Sequence, residues 1–351
     1  MSAVVAVVPA HNEESMIAQT LRALLAQSRP PDRIVVSADN CTDATVDVAR
    51  AVPGVEVFET TGNVHKKAGN LNQVLAWLLP SLGPDDAVLV QDADSRLAPG
   101  FTAAAASRLT PQTGAVGGVF YGEPGGGLLG LLQRNEFARY GRSIDRRNGA
   151  VRVLTGTASL FLVSTLARVR EARAGGAIPG GSGFYDTLSL TEDNEITLAL
   201  RTLGFKPVSP AECVVTTEVM QTVPKLWSQR VRWQRGALEN LRNYGWTRVT
   251  APYILRQGLA ALSALLLTAY LTYLVLCGVL GVGVTPGVLG MALAAVFVAE
   301  RTVTVRRAGI RSVLLAAPLV VELVYDVFQN VVYGACVVGA LRRTRQQWHA
   351  T

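Results

Sequence analysis

The chain has 351 residues, an apolar content of 49% near the top of the globular range and a net charge of +7, so a sizeable core is available. Its four cysteines, Cys41, Cys213, Cys277 and Cys336, form no CxxC pair and no metal-ligand spacing with the three histidines, which argues against a disulfide framework or a zinc site and for reduced thiols in a reducing compartment. The positive excess lies largely beside apolar C-terminal segments and in Arg230, Arg232 and Arg235, so anionic lipid accounts for it and no nucleic acid is expected as a partner.

Met1 leads directly into an apolar run, Val4 to Val8, with no basic region or cleavage site, so no secretory signal is expected. Further β-rich runs follow at Arg33 to Ser37, Val55 to Phe58, Ala87 to Val90 and Ala115 to Val119, and helical patterns separate the early ones. Alternating β and α predicts a mostly parallel sheet with helices on its faces, and in such sheets ligands bind at the carboxyl ends of the strands. Those ends carry PAHNEE, ADNCTD and QDADS, each with carboxylates. Acidic clusters converging on one edge repel unless a cation or hydrogen-bond donors stand among them. Asp92 and Asp94 offer oxygen ligands without a nearby histidine, which suits Mg2+ or Mn2+ together with substrate phosphates.

Leu128 to Arg147 reads as an interfacial or packing helix without a motif. Asp193 precedes Ile196, Leu200 and Leu203 at helical spacing, which places it in a first helical turn where the macrodipole favours an anion, with Thr191 as a capping candidate. Lys225 to Trp246 reads as an amphipathic helix lying at a membrane surface, anchored by Trp227, Trp233, Trp246 and several arginines.

From Gln257 to Ala299 no charged residue occurs, which predicts two helices joined by a turn near Gly281 to Gly287 with Pro286. Ser312 to Leu341 is apolar but broken by Glu322, Asp326 and Asn330; one long tilted helix, a short hairpin, or a span preceded by an interfacial segment all fit. Three or four membrane segments result. Basic clusters at Arg301, Arg306, Arg307 and Arg311 and at Arg342, Arg343 and Arg345 should face the cytoplasm. The expected protein is therefore multi-pass, in an inner or plasma membrane, with the remainder of the chain cytoplasmic.

Taken in order, PAHNE (Pro9 to Glu13), SADNCTD with Asp39, KKAGNLN (Lys66 to Asn72), QDADS, GTASLF (Gly156 to Phe161), TEDNEI (Thr191 to Ile196) and QRVRW (Gln229 to Trp233) resemble the membrane-integrated family 2 glycosyltransferases. That group is similar to cellulose, chitin and hyaluronan synthases and ceramide glucosyltransferase. The resemblance implies a GT-A-type nucleotide-sugar-binding domain over 1–220, an interfacial helix carrying QxxRW over 221–250, and a transmembrane region over 251–351. It implies that Pro9, Glu13, Asp39, Lys67, Asn72 and Asp92 bind the nucleotide sugar, Asp39 at the uracil, and that Asp94 with Asp92 handles the metal. Asp193 matches the general base, and Gln229, Arg232 and Trp233 match residues by the acceptor entrance and the diphosphate.

One base and direct displacement imply an inverting transfer from a nucleotide sugar, expected to be a UDP-sugar, to a hydroxyl of a membrane-associated acceptor. A homo-oligomer through the membrane helices is a further expectation. Leu162 stands where relatives often carry a basic residue after GTASLF. No apolar span precedes Val4, and Arg301 to Arg311 lacks the gating-loop motifs of polymerising members, which favours single transfer over a processive polysaccharide synthase. A membrane transporter or anchoring protein that merely binds nucleotide is the alternative from another class, motivated by Glu322 and Asp326.

Overall fold

The computed structural model describes residues 2–283 and 287–342. The chain divides into two compact units, Met1–Gly125 with Tyr140–Val219, and Gly126–Arg139 with Met220–Thr351.

The first unit opens with β1 (Val4–Ala10), buried at every residue. A Val- and Ala-rich strand covered on both faces belongs at the centre of a parallel sheet. Helix α1 (Ile17–Leu25) supplies one cover, because Ile17, Leu21 and Leu24 recur on a single helical face. Strands β2 (Arg33–Ala38) and β3 (Val55–Glu59), with α2 (Thr45–Arg50) between them, extend the sheet on one side of β1. Helix α3 (Lys66–Leu78) then returns the chain, and β4 (Ala87–Gln91) pairs on the other side. These four strands are parallel, and the winding reverses between β1 and β4. A crevice at the carboxyl ends of β1 and β4 follows from that reversal. The β1–β4 register stops at Val7 opposite Val90, so Pro9, which cannot donate to a ladder, lies beyond the paired stretch on that side.

After β5 (Arg96–Leu97) and α4 (Phe101–Arg108), the single strand predicted at Ala115 to Val119 is two strands, β6 (Ala115–Gly117) and β7 (Val119–Gly122), in different sheets. Gly118 allows the changeover, since a Cβ there would stand 2.4 Å from Val215 Cγ2. Helix α5 (Gly127–Asp145) begins in the second unit. Back in the first, β8 (Ala158–Leu162) inserts antiparallel between β4 and β6, giving the order β3-β2-β1-β4-β8-β6. Helices α6 (Val163–Ala174) and α7 (Glu192–Thr202) follow, and β9 (Val214–Thr217) joins β5 and β7 in a second, three-stranded sheet. A fully buried pair, Arg173 with Glu195 at 2.5 Å, ties α6 to α7.

The second unit contains α8 (Val223–Tyr244), α9 (Ala251–Val279), α10 (Val288–Val305), α11 (Ile310–Ala316) and α12 (Val320–Leu341). Helix α8 starts at Thr222, whose hydroxyl accepts the Lys225 N–H at 3.5 Å, with Pro224 in the first turn. It packs on α12 through Trp227, Val231 and Leu238 against Phe328, Val332 and Cys336. The uncharged stretch forms two helices, α9 and α10; the predicted turn with Pro286 falls partly outside the described residues, as do Arg343 and Arg345. Of the three arrangements open for Ser312 to Leu341, a long helix preceded by a short one is found, broken at Leu319 in the left-handed conformation.

Two described helices are long and apolar enough to cross a membrane: α9, with mean hydropathy 2.1 and its apolar window unburied, and Val320–Ala340 of α12, with mean hydropathy 1.3. Glu322 and Asp326 on α12 are ion-paired. Arg139 donates to both Glu322 oxygens, and Arg301 bridges Glu322 at 2.7 Å and Asp326 at 2.6 Å. All four cysteines are free thiols.

Candidate active site

The DAD turn after β4 is built so that its two aspartates stay partly exposed while Ala93 is buried. Ala93 is buried and its carbonyl accepts the hydroxyl of the buried Thr20 at 2.6 Å; Gln91 Nε2 donates to the Ser95 carbonyl at 2.7 Å. Asp92 and Asp94 are left half-buried. Because β8 runs antiparallel to β4, its leading residues Gly156 and Thr157 come alongside this turn, and the Asp92 N–H donates to the Thr157 carbonyl at 3.0 Å.

Glu13, after β1, lies in the field of the same carboxylates. Burial pushes its carboxyl up to about 7, helped by Asp94, Glu218 and Asp92. Burial likewise raises Asp92 to about 6, Lys67 opposing and Asp94 adding to the rise. Asp94 is raised by burial and by Glu218, against a hydrogen bond from the Ser95 hydroxyl at 3.0 Å. Glu218 is placed by β9, whose Thr217 hydroxyl accepts from Ser95 at 3.2 Å.

Lys67 brings a cation to this cluster. Its ammonium lies 2.5 Å from Asp92 Oδ1 and 2.8 Å from Glu192 Oε1, and donates to the Gly156 carbonyl at 3.3 Å. Burial acts to lower its pKa, but Asp92 and Glu192 outweigh that and raise it, so the ammonium stays charged. Gly156 also gives its N–H to Asp193 Oδ2 at 3.2 Å, and the Asn194 N–H reaches Asp193 Oδ1 at 2.7 Å. Asp193 does stand in the first turn of α7, beside Glu192. Thr191 occupies the N-cap position without a side-chain capping bond. Lys67, Glu192, Asp193, Gly156 and Tyr185 border one cavity enclosing about 270 Å³, part of it open to solvent.

Asp39, at the end of β2, is buried and receives three side-chain donors: Thr60 at 2.6 Å, Asn63 at 2.8 Å and Asn40 at 3.1 Å. Gly69 makes room for Asn63, since a Cβ would stand 2.0 Å from its Oδ1. Asn72 uses its amide on a neighbouring loop: Oδ1 accepts the N–H groups of Phe184 and Tyr185, both at 2.8 Å, and Nδ2 donates to the Tyr185 carbonyl at 2.9 Å. Glu192, Gly156, Glu218 and Asn63 are members of this arrangement that the motif reading did not single out.

Gln229, Arg232 and Trp233 belong to the second unit, on α8. Arg230, in the same stretch of α8, lies 4.3 Å over the Trp233 ring, donates to Gln229 Oε1 at 3.2 Å and pairs with Glu136 at 2.8 Å. Glu136 also accepts the Tyr325 hydroxyl at 2.6 Å.

Among the described residues no group of three or more His, Cys, Asp or Glu is arranged to hold a metal ion. Two partly buried carboxylates, with Asp94 raising the pKa of Asp92, nevertheless fit a hard divalent cation, which takes one or two protein carboxylates and completes its shell with phosphate oxygens and water.

A sequence model of the family described as glycosyltransferase like family 2 matches residues 2–236. The chain belongs to this family. Two curated relatives of this family 2 chain are poly-beta-1,6-N-acetyl-D-glucosamine synthases. That of Staphylococcus epidermidis is 25% identical over 247 residues, covering 68% of this chain and 55% of the relative. That of Staphylococcus aureus (strain COL) is 25% identical over 240 residues, covering 66% and 53%. The chain thus spans little more than half the length of these relatives. Among solved structures, the mannosyltransferase PcManGT from Pyrobaculum calidifontis, in complex with GDP-Man and Mn2+, superposes with a TM-score of 0.65 at 20% identity, over 97% of this chain and 88% of that one. The family 2 chain has the GT-A-like α/β fold with a mostly parallel sheet.

Proposed function

We propose that the protein is an inverting glycosyltransferase that moves a sugar from a nucleotide sugar, expected to be a UDP-sugar, to a hydroxyl of a membrane-associated acceptor. The observation that carries this reading is one connected set of groups: Asp92 to Lys67, Lys67 to the Gly156 carbonyl, and the Gly156 N–H to Asp193. A donor-side carboxylate and a carboxylate suited to act as base are thereby joined through two residues, Lys67 and Gly156.

In this reading Asp193 takes the acceptor proton as the hydroxyl oxygen attacks the anomeric carbon. Two backbone N–H groups and the start of α7 favour its anionic form. Asp94 and Asp92 hold Mg2+ or Mn2+, which when bound neutralises charge on the departing diphosphate. Lys67 faces the same diphosphate. Asp39, with its donors already fixed, receives the base edge of the nucleotide; Pro9 and Glu13 line the β1 end. Asn72 serves the donor site by holding the Phe184–Tyr185 backbone. Gln229, Arg232 and Trp233 serve acceptor and diphosphate, as the resemblance implies, with the Trp233 ring fixed by Arg230.

Helices α9, α10 and α12 are assigned to the membrane of a multi-pass protein, with the first unit on the cytoplasmic side and oligomer contacts through these helices. Resistance of the full chain to carbonate extraction tests this, and solubility without detergent would refute it. The ion pairs of Glu322 and Asp326 with Arg139 and Arg301 weigh against an ion path and hence against a transporter.

Processive synthesis is a second reading, favoured by the polymer named in both curated relatives. One experiment addresses both: a nucleotide-sugar donor screen on purified protein with acceptor lipids, scored by nucleotide release and product length. Release with one sugar added per acceptor supports single transfer, a ladder supports polymerisation, and no release from any donor removes the proposal.

A further inference from the structure

Lys67 stands where its own helix does not favour it. It lies in the first turn of α3, whose N-terminus carries partial positive charge, and the residue before it, Lys66, adopts a φ of +55°. The contacts that hold it come from other elements: Asp92 at the end of β4, Glu192 in the first turn of α7, and the Gly156 carbonyl before β8. A local rule broken at a position held by contacts from three other elements marks a place kept for something other than helix stability.

Asp92 is also one of the two carboxylates that suit a divalent ion. An ammonium already 2.5 Å from Asp92 Oδ1 and an incoming dication compete for the same oxygen, and the two cations repel. We propose that Lys67 is a built-in counter-ion that occupies Asp92 until metal and diphosphate arrive, and that Glu192 is the positioning residue that draws it off Asp92. This rests on the reading of Asp92 and Asp94 as the metal site. Lys67 then opposes the metal and favours the diphosphate, so removing it changes the two affinities in opposite directions. Glu192, by sharing the ammonium, weakens its hold on Asp92 and so favours the metal. The Gly156 carbonyl gives the ammonium a third partner on the residue whose N–H holds Asp193, so the same contact reaches the base.

The test uses the full chain in detergent, with Mn2+ binding followed by the electron paramagnetic resonance of free Mn2+, and UDP and GDP binding by calorimetry at saturating Mn2+. Lys67→Met is expected to bind Mn2+ about tenfold more tightly and the nucleoside diphosphate about tenfold more weakly, each about 1.4 kcal/mol. Glu192→Gln is expected to weaken Mn2+ about threefold, and the double variant to depart from the sum of the two by about that factor, because Glu192 acts through Lys67. A purely structural role would weaken Mn2+ and nucleotide together in Lys67→Met, and that result overturns the proposal. Additive single effects overturn the part assigned to Glu192. If Lys67→Met does not fold, an unchanged Mn2+ affinity in Glu192→Gln is sufficient to overturn it. Wild-type protein that binds no Mn2+ refutes the metal site as well as this inference, whereas wild-type binding with unshifted variants refutes the inference alone.

Discussion

Two clusters of ionised side chains can be compared, one in each unit. In the second unit, Glu322 and Asp326 meet Arg139 and Arg301, two acids against two guanidiniums, with Glu322 almost fully buried. In the first, Asp92, Asp94 and Glu13 remain half-buried, burial raises the pKa of each with neighbouring carboxylates adding to the rise, and Lys67 is bonded to Asp92. Matched and buried charge is what a chain needs to join helices; partly open carboxylates in excess of the ammonium that touches Asp92 have no such use and suit a place where a further cation is received. The difference teaches that balance, more than acidity, separates a structural cluster from a chemical one.

The strongest way to break this comparison is at the base. Asp193→Asn keeps size and most hydrogen bonds but removes the proton acceptor. Transfer should fall by about 10²- to 10⁴-fold, with nucleotide affinity little changed. Near-normal turnover would reduce Asp193 to a helix-terminus residue, since Asn serves that position as well.

Next come single removals from each cluster, which should have opposite signatures. Glu322→Leu leaves Arg139 and Arg301 short of a partner and should cost about 3–5 kcal/mol of stability, with Mn2+ binding unchanged. Asp94→Asn should abolish Mn2+ binding, and with it transfer, yet leave the metal-free protein as stable or more so, because it relieves repulsion. If Asp94→Asn unfolded the protein as Glu322→Leu does, the distinction between the clusters would fail.

Much of the first cluster was legible because β1, β2 and β4 are mostly apolar and each is followed by carboxylates, and a parallel sheet brings such ends together. What could not be read was contributed across strands. Strand β8 was visible only as a motif, and nothing local says that it runs antiparallel and so delivers Gly156 to Asp92. The two-residue β5 and the short β9 carry too little pattern to announce a second sheet, so Glu218 was missed. Ala115 to Val119 reads as one apolar run, and only the clash a Cβ at Gly118 would make with Val215 reveals the break. Asn72 shows the limit in the other direction: its place in a motif suggested a ligand contact, while its amide is bonded to the backbone of a loop more than a hundred residues away in sequence. The ion pairs of the second unit were equally hidden, because Glu322 and Arg139 come from segments that local pattern cannot connect.

The smallest effect expected is one of pH, and it concerns the first cluster alone. Glu13 is pushed up to about 7 and Asp92 to about 6, so the folded, metal-free protein holds protons there that the unfolded chain, with ordinary carboxyls, has released. The stability these groups contribute is complete below the ordinary carboxylate range and is lost as pH rises through about 6 to 7. After discounting for solvent screening, the loss should be on the order of 1–2 kcal/mol between pH 5 and pH 8. Mn2+ reverses the sign, because it binds the deprotonated carboxylates and supplies the charge they lack, so its affinity should rise over the same interval. The measurement is the melting temperature of the full chain at pH 5, 6, 7 and 8, with EDTA and with Mn2+. The gap between the two curves should widen towards pH 8 in wild type and close in Asp94→Asn, while Glu322→Leu shifts both curves together and leaves the gap intact. A gap independent of pH would mean that the ion binds away from Glu13 and Asp92.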